Sequence, residues 1–182
     1  IIGHITGLGV AFTYSSLKYM ILRLISIALY RINNKLFKIN YIVQNYEDYV
    51  DLGLNKLILI KGSSVDESIY KPTNNRSLNK KNKSVIRLLF ASRLLKSKGI
   101  LQLIKSIEIL PKNISDKIIL DIAGEPDYSN FDSVSKEQLN DIKLCSFVNF
   151  LGFRNDINNL IQKSDICVLP TKYREGTPRF LL

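Results

Sequence analysis

VIRLLFASRLLKSKGILQLIKSIEILP, residues 85–111, sets a strand, a polar loop and a helix in succession. Val85–Ala91 is a short, nearly continuous apolar run of the kind a strand covered on both faces requires. Beyond it, Ile100, Leu103, Ile104, Ile107 and Leu110 recur at helical spacing until Pro111, which can neither donate to the helix nor fit inside it. Between the two lies SRLLKSKG, a loop rich in cations that opens into the helix. This is half of a βαβ unit.

The alternation continues downstream. Lys117–Ala123 (KIILDIA) is a strand, Val134–Lys143 a helix, Phe147–Leu151 a strand, Asp156–Lys163 a helix, and Ile166–Leu169 a strand that stops at Pro170. Four strands with three intervening helices predict a Rossmann-like, doubly wound parallel sheet. Upstream, Ile1–Ile5 (IIGHI) is a short strand closed by the turn Thr6-Gly7-Leu8-Gly9. Lys18–Phe37 is a long helix, Ile39–Val43 a strand, Glu47–Leu52 a short helix stopped by Gly53, and Leu57–Ile60 another strand. The fold class is therefore α/β with two parallel-sheet domains. Between them, Pro72 and TNNRSLNKKNKS carry no apolar periodicity and read as a connector. The expected division is 1–65, a linker over 66–84, and 85–182.

Composition agrees with a folded chain: 46% of its 182 residues are hydrophobic, 23% are charged, and mean hydropathy is +0.03, which excludes disordered and collagen-like classes. The net charge of +10 favours anionic partners. Residues 1–65 hold seven basic and three acidic groups, 66–83 five and two, and 84–182 fourteen and eleven. No stretch forms a dense basic patch with interleaved aromatics, so nucleic acid is not an expected partner. The five cations of 66–83 read as solvated linker.

Cys145 and Cys167, 22 positions apart, have no neighbouring Cys or His cluster, so no metal site is expected and both read as small apolar residues in a reducing compartment. Met20–Tyr30 is the greasiest run but is far shorter than a span and includes Arg23. It reads as a buried or amphipathic helix, and a peripheral contact with a membrane surface is the alternative.

In open parallel sheets, ligands collect where the strands end. After the first strand of the second domain, Arg93 and Lys98 bring two positive charges to a helix N-terminus, a combination that suits a diphosphate. After the second, Gly124 lets a ligand approach the backbone. The third leads to Phe153 and Arg154, placed to frame a nucleotide base, with Asn155 or Asp156 as helix cap. The fourth delivers TKYREGTPR (171–179), which puts Glu175 and the amides after it into the crevice. His4 lies beside the Thr6–Gly9 turn. It reads first as a structural histidine, and alternatively as a proton acceptor or acceptor contact. Gly7 and Gly9 read first as turn formers, since a lone GLG is no dinucleotide fingerprint.

FASRLLKSKG (90–99), IAGEP (122–126), FLGFRNDI (150–157) and SDICVLPTKYREGTPRFLL (164–182), in this order, resemble the C-terminal domain of the retaining glycosyl transferases group 1, which have the two-domain GT-B fold. HITGLG (4–9), YIVQN (41–45) and IKGSSVDESIYKP (60–72) resemble the end of that family's N-terminal domain and its hinge, and HITGLG with YREGTPR is similar to bacterial enzymes building capsule, O-antigen or exopolysaccharide. Both domains would be incomplete.

The resemblance implies a hexosyltransferase type of enzyme that moves a sugar from a nucleotide diphosphate sugar to a hydroxyl of a saccharide or lipid-linked saccharide, with retention and without a cofactor. Arg93, Lys98 and Glu175 would be catalytic. Gly124, Phe153, Arg154, Gly176, Thr177 and Pro178 would bind the donor, and His4, Thr6, Gly7 and Gly9 would lie on the acceptor side. No protein nucleophile is implied. The expected location is the cytoplasm or the inner face of the plasma membrane. The family places a second Glu eight positions after the first, just past Leu182, so a chain ending there is expected to be inactive. Two alternatives keep the same sheet: a non-catalytic nucleotide- or polyanion-binding module, and a GT-B nucleotide-sugar epimerase.

Overall fold

The computed structural model describes residues 1–62, 64–71, 85–172 and 176–182. Its chain divides into two compact units. One comprises Ile1–Val65 with Leu182 and the described part of Tyr173–Phe180; the other comprises Asp66–Lys172 with Leu181. Most of the expected linker, residues 72–84, lies outside the described residues.

In the first unit, β1 (Ile2–Ile5), β2 (Asn40–Val43) and β3 (Leu57–Leu59) form a parallel sheet in that order. Helices α1 (Val10–Thr13) and α2 (Leu17–Leu36) join β1 to β2, and α3 (Tyr46–Leu52) joins β2 to β3. The register sets Ile5, Val43 and Leu59 side by side, so alternate residues of all three strands feed one core with Tyr41 and Leu52. Asn45 caps α3 by accepting the Asp48 N–H at 2.7 Å, and its amide donates to the fully buried Asp48 carboxylate at 3.0 Å. Gly53 ends that helix in the left-handed region, as its place in the sequence predicts.

The second unit contains β4 (Ile86–Ala91), β5 (Ile118–Ala123), β6 (Val148–Gly152) and β7 (Ile166–Cys167), all parallel, in the order β6-β5-β4-β7. Strands added first on one side of β4 and then on the other give the doubly wound arrangement expected from the alternation. Connecting them are α4 (Ile100–Glu108), α5 (Lys112–Ser115), α6 (Lys136–Leu144) and α7 (Ile157–Lys163). Phe90, Leu94, Ile100, Leu120, Ile122 and Val134 are fully buried at the centre of its core.

Most boundaries fall within one residue of the sequence reading, and three differences are larger. α6 starts after Val134, because Ser135 takes the cap position, accepts the Gln138 N–H at 3.2 Å and donates its own N–H to Gln138 Oε1 at 3.0 Å. β7 keeps only two of its four expected residues in the ladder, although the Val168 N–H still donates to Leu89 O. The loop after β4 does not run straight into α4; a 3-10 turn over Lys96–Lys98 intervenes.

Candidate functional site

The switch in strand order falls between β4 and β7, so the loops after these two strands meet at the carboxyl edge of the second unit, the place where open parallel sheets bind ligands. They are tied together: the Lys172 N–H donates to Ser97 O at 2.7 Å, and Gly99 turns with φ of +83° directly against Pro170. A Cβ at position 99 would stand 2.1 Å from Pro170 O. Buried Asp132 holds the other side of the loop, accepting the Ser97 N–H at 3.0 Å as well as its hydroxyl, while its own carbonyl takes the Lys96 N–H. Lys98 is thus carried on a short turn anchored from two sides, and α4 opens just after it.

Arg93 lies exposed on the same loop, where Nη1 donates to Asp127 Oδ2 at 2.8 Å. The Ser129 hydroxyl and then the Arg93 guanidinium hold the Asp127 carboxyl below the usual carboxylate range. The pair therefore persists at neutral pH and is lost only as pH falls through that lowered value. The sequence reading did not include Asp127 or Asp132. Asp127 was within reach of the same strand-end rule, being four residues past β5; nothing in the spacing distinguishes Asp132.

Gly124 allows a close approach, but the atom that approaches belongs to the chain itself. A Cβ there would be 1.9 Å from Ser92 O, while the Gly124 N–H donates to Gly152 O at 2.7 Å. The glycine lets the ends of β4, β5 and β6 converge. At the end of β6, Phe153 is exposed and Arg154 forms a double hydrogen bond to Asp156, each contact 2.7 Å. Asp156 occupies the cap position of α7 without a side-chain capping bond, because Arg154 takes both its oxygens. The cap residue is one of the two expected, and its side chain bonds Arg154 rather than a helix N–H. That hydrogen bond is also the main cause holding the Asp156 carboxyl low and the guanidinium high.

In the first unit, the end of β1 gathers a second group. His4 and Thr6 are exposed, Gln44 at the end of β2 brings Nε2 to 3.4 Å from His4 Nε2, and the Gly176 N–H donates to Thr6 O at 2.6 Å. A Cβ on Gly176 would meet Gln44 Oε1 at 2.0 Å and Thr6 O at 2.5 Å, so this residue must be glycine for the segment to seat there. Thr177 and Pro178 follow, half-buried, while Gly9 with φ of +65° opens α1 beyond Gly7. Gln44 was not singled out as a site residue, although it directly follows a strand. Glu175, with Tyr173 and Arg174, lies outside the described residues. Among the described residues, no cluster of His, Cys, Asp or Glu is placed to hold a metal ion. No helix among them is long and apolar enough to cross a membrane.

Residues 71–182 match the family described as Glycosyl transferases group 1. The chain is 31% identical over 186 aligned positions to the N,N'-diacetylbacillosaminyl-diphospho-undecaprenol alpha-1,3-N-acetylgalactosaminyltransferase of Campylobacter jejuni, covering 96% of this chain and 46% of that protein. Among solved structures, sucrose-phosphate synthase from Thermosynechococcus elongatus is similar with a TM-score of 0.70 and 16% identity, over 96% of this chain and 45% of that one. Anabaena HepE in complex with UDP-glucose matches with a TM-score of 0.69 and 19% identity, over 98% and 48%. WaaG, a glycosyltransferase involved in lipopolysaccharide biosynthesis, matches with a TM-score of 0.66 and 15% identity, over 93% and 50%. These likenesses extend across both units and establish a partial GT-B fold. The chain spans about half the length of the curated relative it matches over most of its length.

Proposed function

Because the chain belongs to the glycosyl transferases group 1, we propose that the whole protein transfers a hexose-type sugar from a nucleotide diphosphate sugar to a hydroxyl acceptor, with retention, in bacterial surface polysaccharide synthesis. The observation that carries this reading is the carboxyl edge of the second sheet, where Lys98, Arg93 and the opening of α4 all follow the end of β4. The chemical difficulty of the reaction is the negative charge that builds on the departing diphosphate while the sugar gains oxocarbenium character. Preorganised cations and helix amides at that spot lower the barrier without a metal. The name of the Campylobacter jejuni relative supports a saccharide acceptor linked to a polyprenyl diphosphate.

Each proposed role has a structural condition. Arg93 must exchange Asp127 for the diphosphate, and the Gly176 amide must leave Thr6 O before it can serve a sugar hydroxyl alongside Thr177 and Glu175. Gly124, Phe153, Arg154 and Pro178 complete the donor side of the proposal, with His4, Thr6, Gly7 and Gly9 on the acceptor side.

Calorimetric titration with a panel of nucleoside diphosphates tests the site. Lys98→Ala should weaken binding about tenfold, the worth of one charge-assisted contact, whereas Asp127→Asn should strengthen it about threefold by releasing Arg93. Unchanged affinity in Lys98→Ala and in Arg93→Ala, with folding intact, would place the diphosphate elsewhere. Tighter, steeply salt-dependent binding of unrelated nucleic acids would favour a polyanion-binding module.

A further inference from the structure

The loop from β5 to α6 grips the cationic loop after β4 in two ways. Asp127 meets the exposed Arg93 guanidinium, a contact open to water. Asp132 works from inside. It is 8% exposed, and its stretch of chain is laid against the cationic loop by three main-chain bonds: Lys96 N–H to Asp132 O at 2.8 Å, Val134 N–H to Leu94 O at 3.0 Å, and Leu94 N–H to Glu125 O at 2.9 Å. Its own N–H donates to Asn130 Oδ1 at 2.9 Å, closing a turn just before it. The carboxylate therefore reaches toward Ser97 from a fixed base.

Ser97 is where the two anchors of this loop converge. Its N–H and its hydroxyl both donate to Asp132 Oδ2, and its carbonyl accepts the Lys172 N–H at 2.7 Å. Ser97 is itself buried, so these polar groups are satisfied by distant segments rather than by water. Its neighbours differ in exposure. Lys96 is exposed, whereas Lys98 is half-buried and is followed at once by the left-handed Gly99. Lysine is a point charge on a flexible stem, so an ammonium that must meet a ligand at a set place needs a main chain that does not move beneath it. The bonds from Asp132 supply that on one side, as Lys172 does on the other.

We propose that Asp132 is a positioning residue, which through Ser97 holds Lys98 in place for the diphosphate of the donor. The inference rests on the reading of Lys98 as a diphosphate contact, and adds to it a residue that touches no substrate. A purely structural role for Asp132 differs in one consequence. A residue that acts through Lys98 loses its effect on the ligand once Lys98 is gone, whereas one that merely stabilises the unit either costs binding regardless of Lys98 or costs none at all. The same loop thus treats its two cations differently: Asp127 occupies Arg93 until a ligand replaces it, and Asp132 never leaves its seat.

The test is calorimetric titration of the full 182-residue chain with inorganic pyrophosphate. Asp132→Ala should weaken binding about fivefold, bounded by the loss of about tenfold expected of Lys98→Ala itself. Asp132→Asn keeps an acceptor for Ser97 and should stay within about twofold of the parent. In a Lys98→Ala background, Asp132→Ala should change affinity by less than about twofold. Asp121→Ala controls for lost stability: it breaks an ion pair inside the sheet, so it should lower the thermal midpoint and leave pyrophosphate affinity unchanged. Should circular dichroism show Asp132→Ala unfolded, Ser97→Ala carries the same test, since it removes one of the two bonds and should cost about threefold. Unchanged affinity in Asp132→Ala, or in Ser97→Ala where it stands in, would overturn the inference and leave the diphosphate reading intact. So would equal losses with and without Lys98, an equal loss in Asp121→Ala, or an Asp132→Asn as weak as Asp132→Ala. No loss in Lys98→Ala would instead overturn the diphosphate reading, and the inference with it.

Discussion

Gly99→Ala should destabilise the chain by about 4 kcal/mol, at the upper end of what single substitutions do. Two effects combine. The left-handed φ of +83° costs an L-residue about 1 kcal/mol more than glycine. The added Cβ then falls 2.1 Å from Pro170 O and 2.8 Å from its carbonyl carbon, and these are backbone atoms that no rotamer change can move. The strain cannot be relieved by shifting the loop after β7 outward unless the bond from Lys172 N–H to Ser97 O is also broken. Thermal denaturation measures the loss. Gly62→Ala is the control, since Gly62 has φ of +91° but nothing within 4 Å of the added Cβ, so it should lose only the conformational part, about 1 kcal/mol. Equal losses at the two positions would show that the crowding at Pro170 is not real.

Asp121→Ala should cost about 3 kcal/mol, the range for breaking a buried ion pair from one side. Asp121 is in the middle of the second sheet, nearly inaccessible, and accepts Arg87 Nη1 on both oxygens at 2.9 and 2.8 Å and Asn149 Nδ2 at 2.9 Å. Arg87 in turn gives its backbone N–H to Asp165 Oδ2 at 2.9 Å. One polar residue from each of β6, β5 and β4, with Asp165 just before β7, therefore forms a chain across the whole sheet. Removing Asp121 strands a partly buried guanidinium and an amide together. Urea denaturation should show a double-mutant coupling of about 1 kcal/mol or more with Arg87→Ala, and strict additivity would refute the arrangement.

That chain of polar contacts marks where sequence reading stopped. KIILDIA reads as a continuous buried strand, and it is one, but its single aspartate gives no sign of the arginine 34 positions earlier that neutralises it. Pairing across strands depends on register, and register is not written in any one segment. Elements whose signals are local were legible: the periodicity of α4, the Gly53 stop of α3, and the alternation that implies parallel sheets. For the candidate site, the strand-end rule pointed to Arg93, Lys98, His4 and Thr6, and the structure sets all four at or just after a strand end. Their partners were not legible, because Asp127, Asp132 and Gln44 are brought in by tertiary packing. Gly124 shows the remaining difficulty. The Cβ it lacks would meet Ser92 O, a packing reason for glycine that the segment alone does not reveal.

The strand order β6-β5-β4-β7 also bears on how the polypeptide is made. β4 leaves the ribosome first among these four strands, and the two residues of β7 that cover its second edge come last, each 78 positions after the β4 residue it pairs with, Ile166 with Leu88 and Cys167 with Leu89. Until then Leu88 and Leu89 present unsatisfied backbone groups beside an apolar surface, the kind of edge that recruits other nascent chains. The interval of greatest vulnerability to aggregation therefore closes only when Cys167 has emerged and paired, and a chaperone that shields this edge would act late in synthesis.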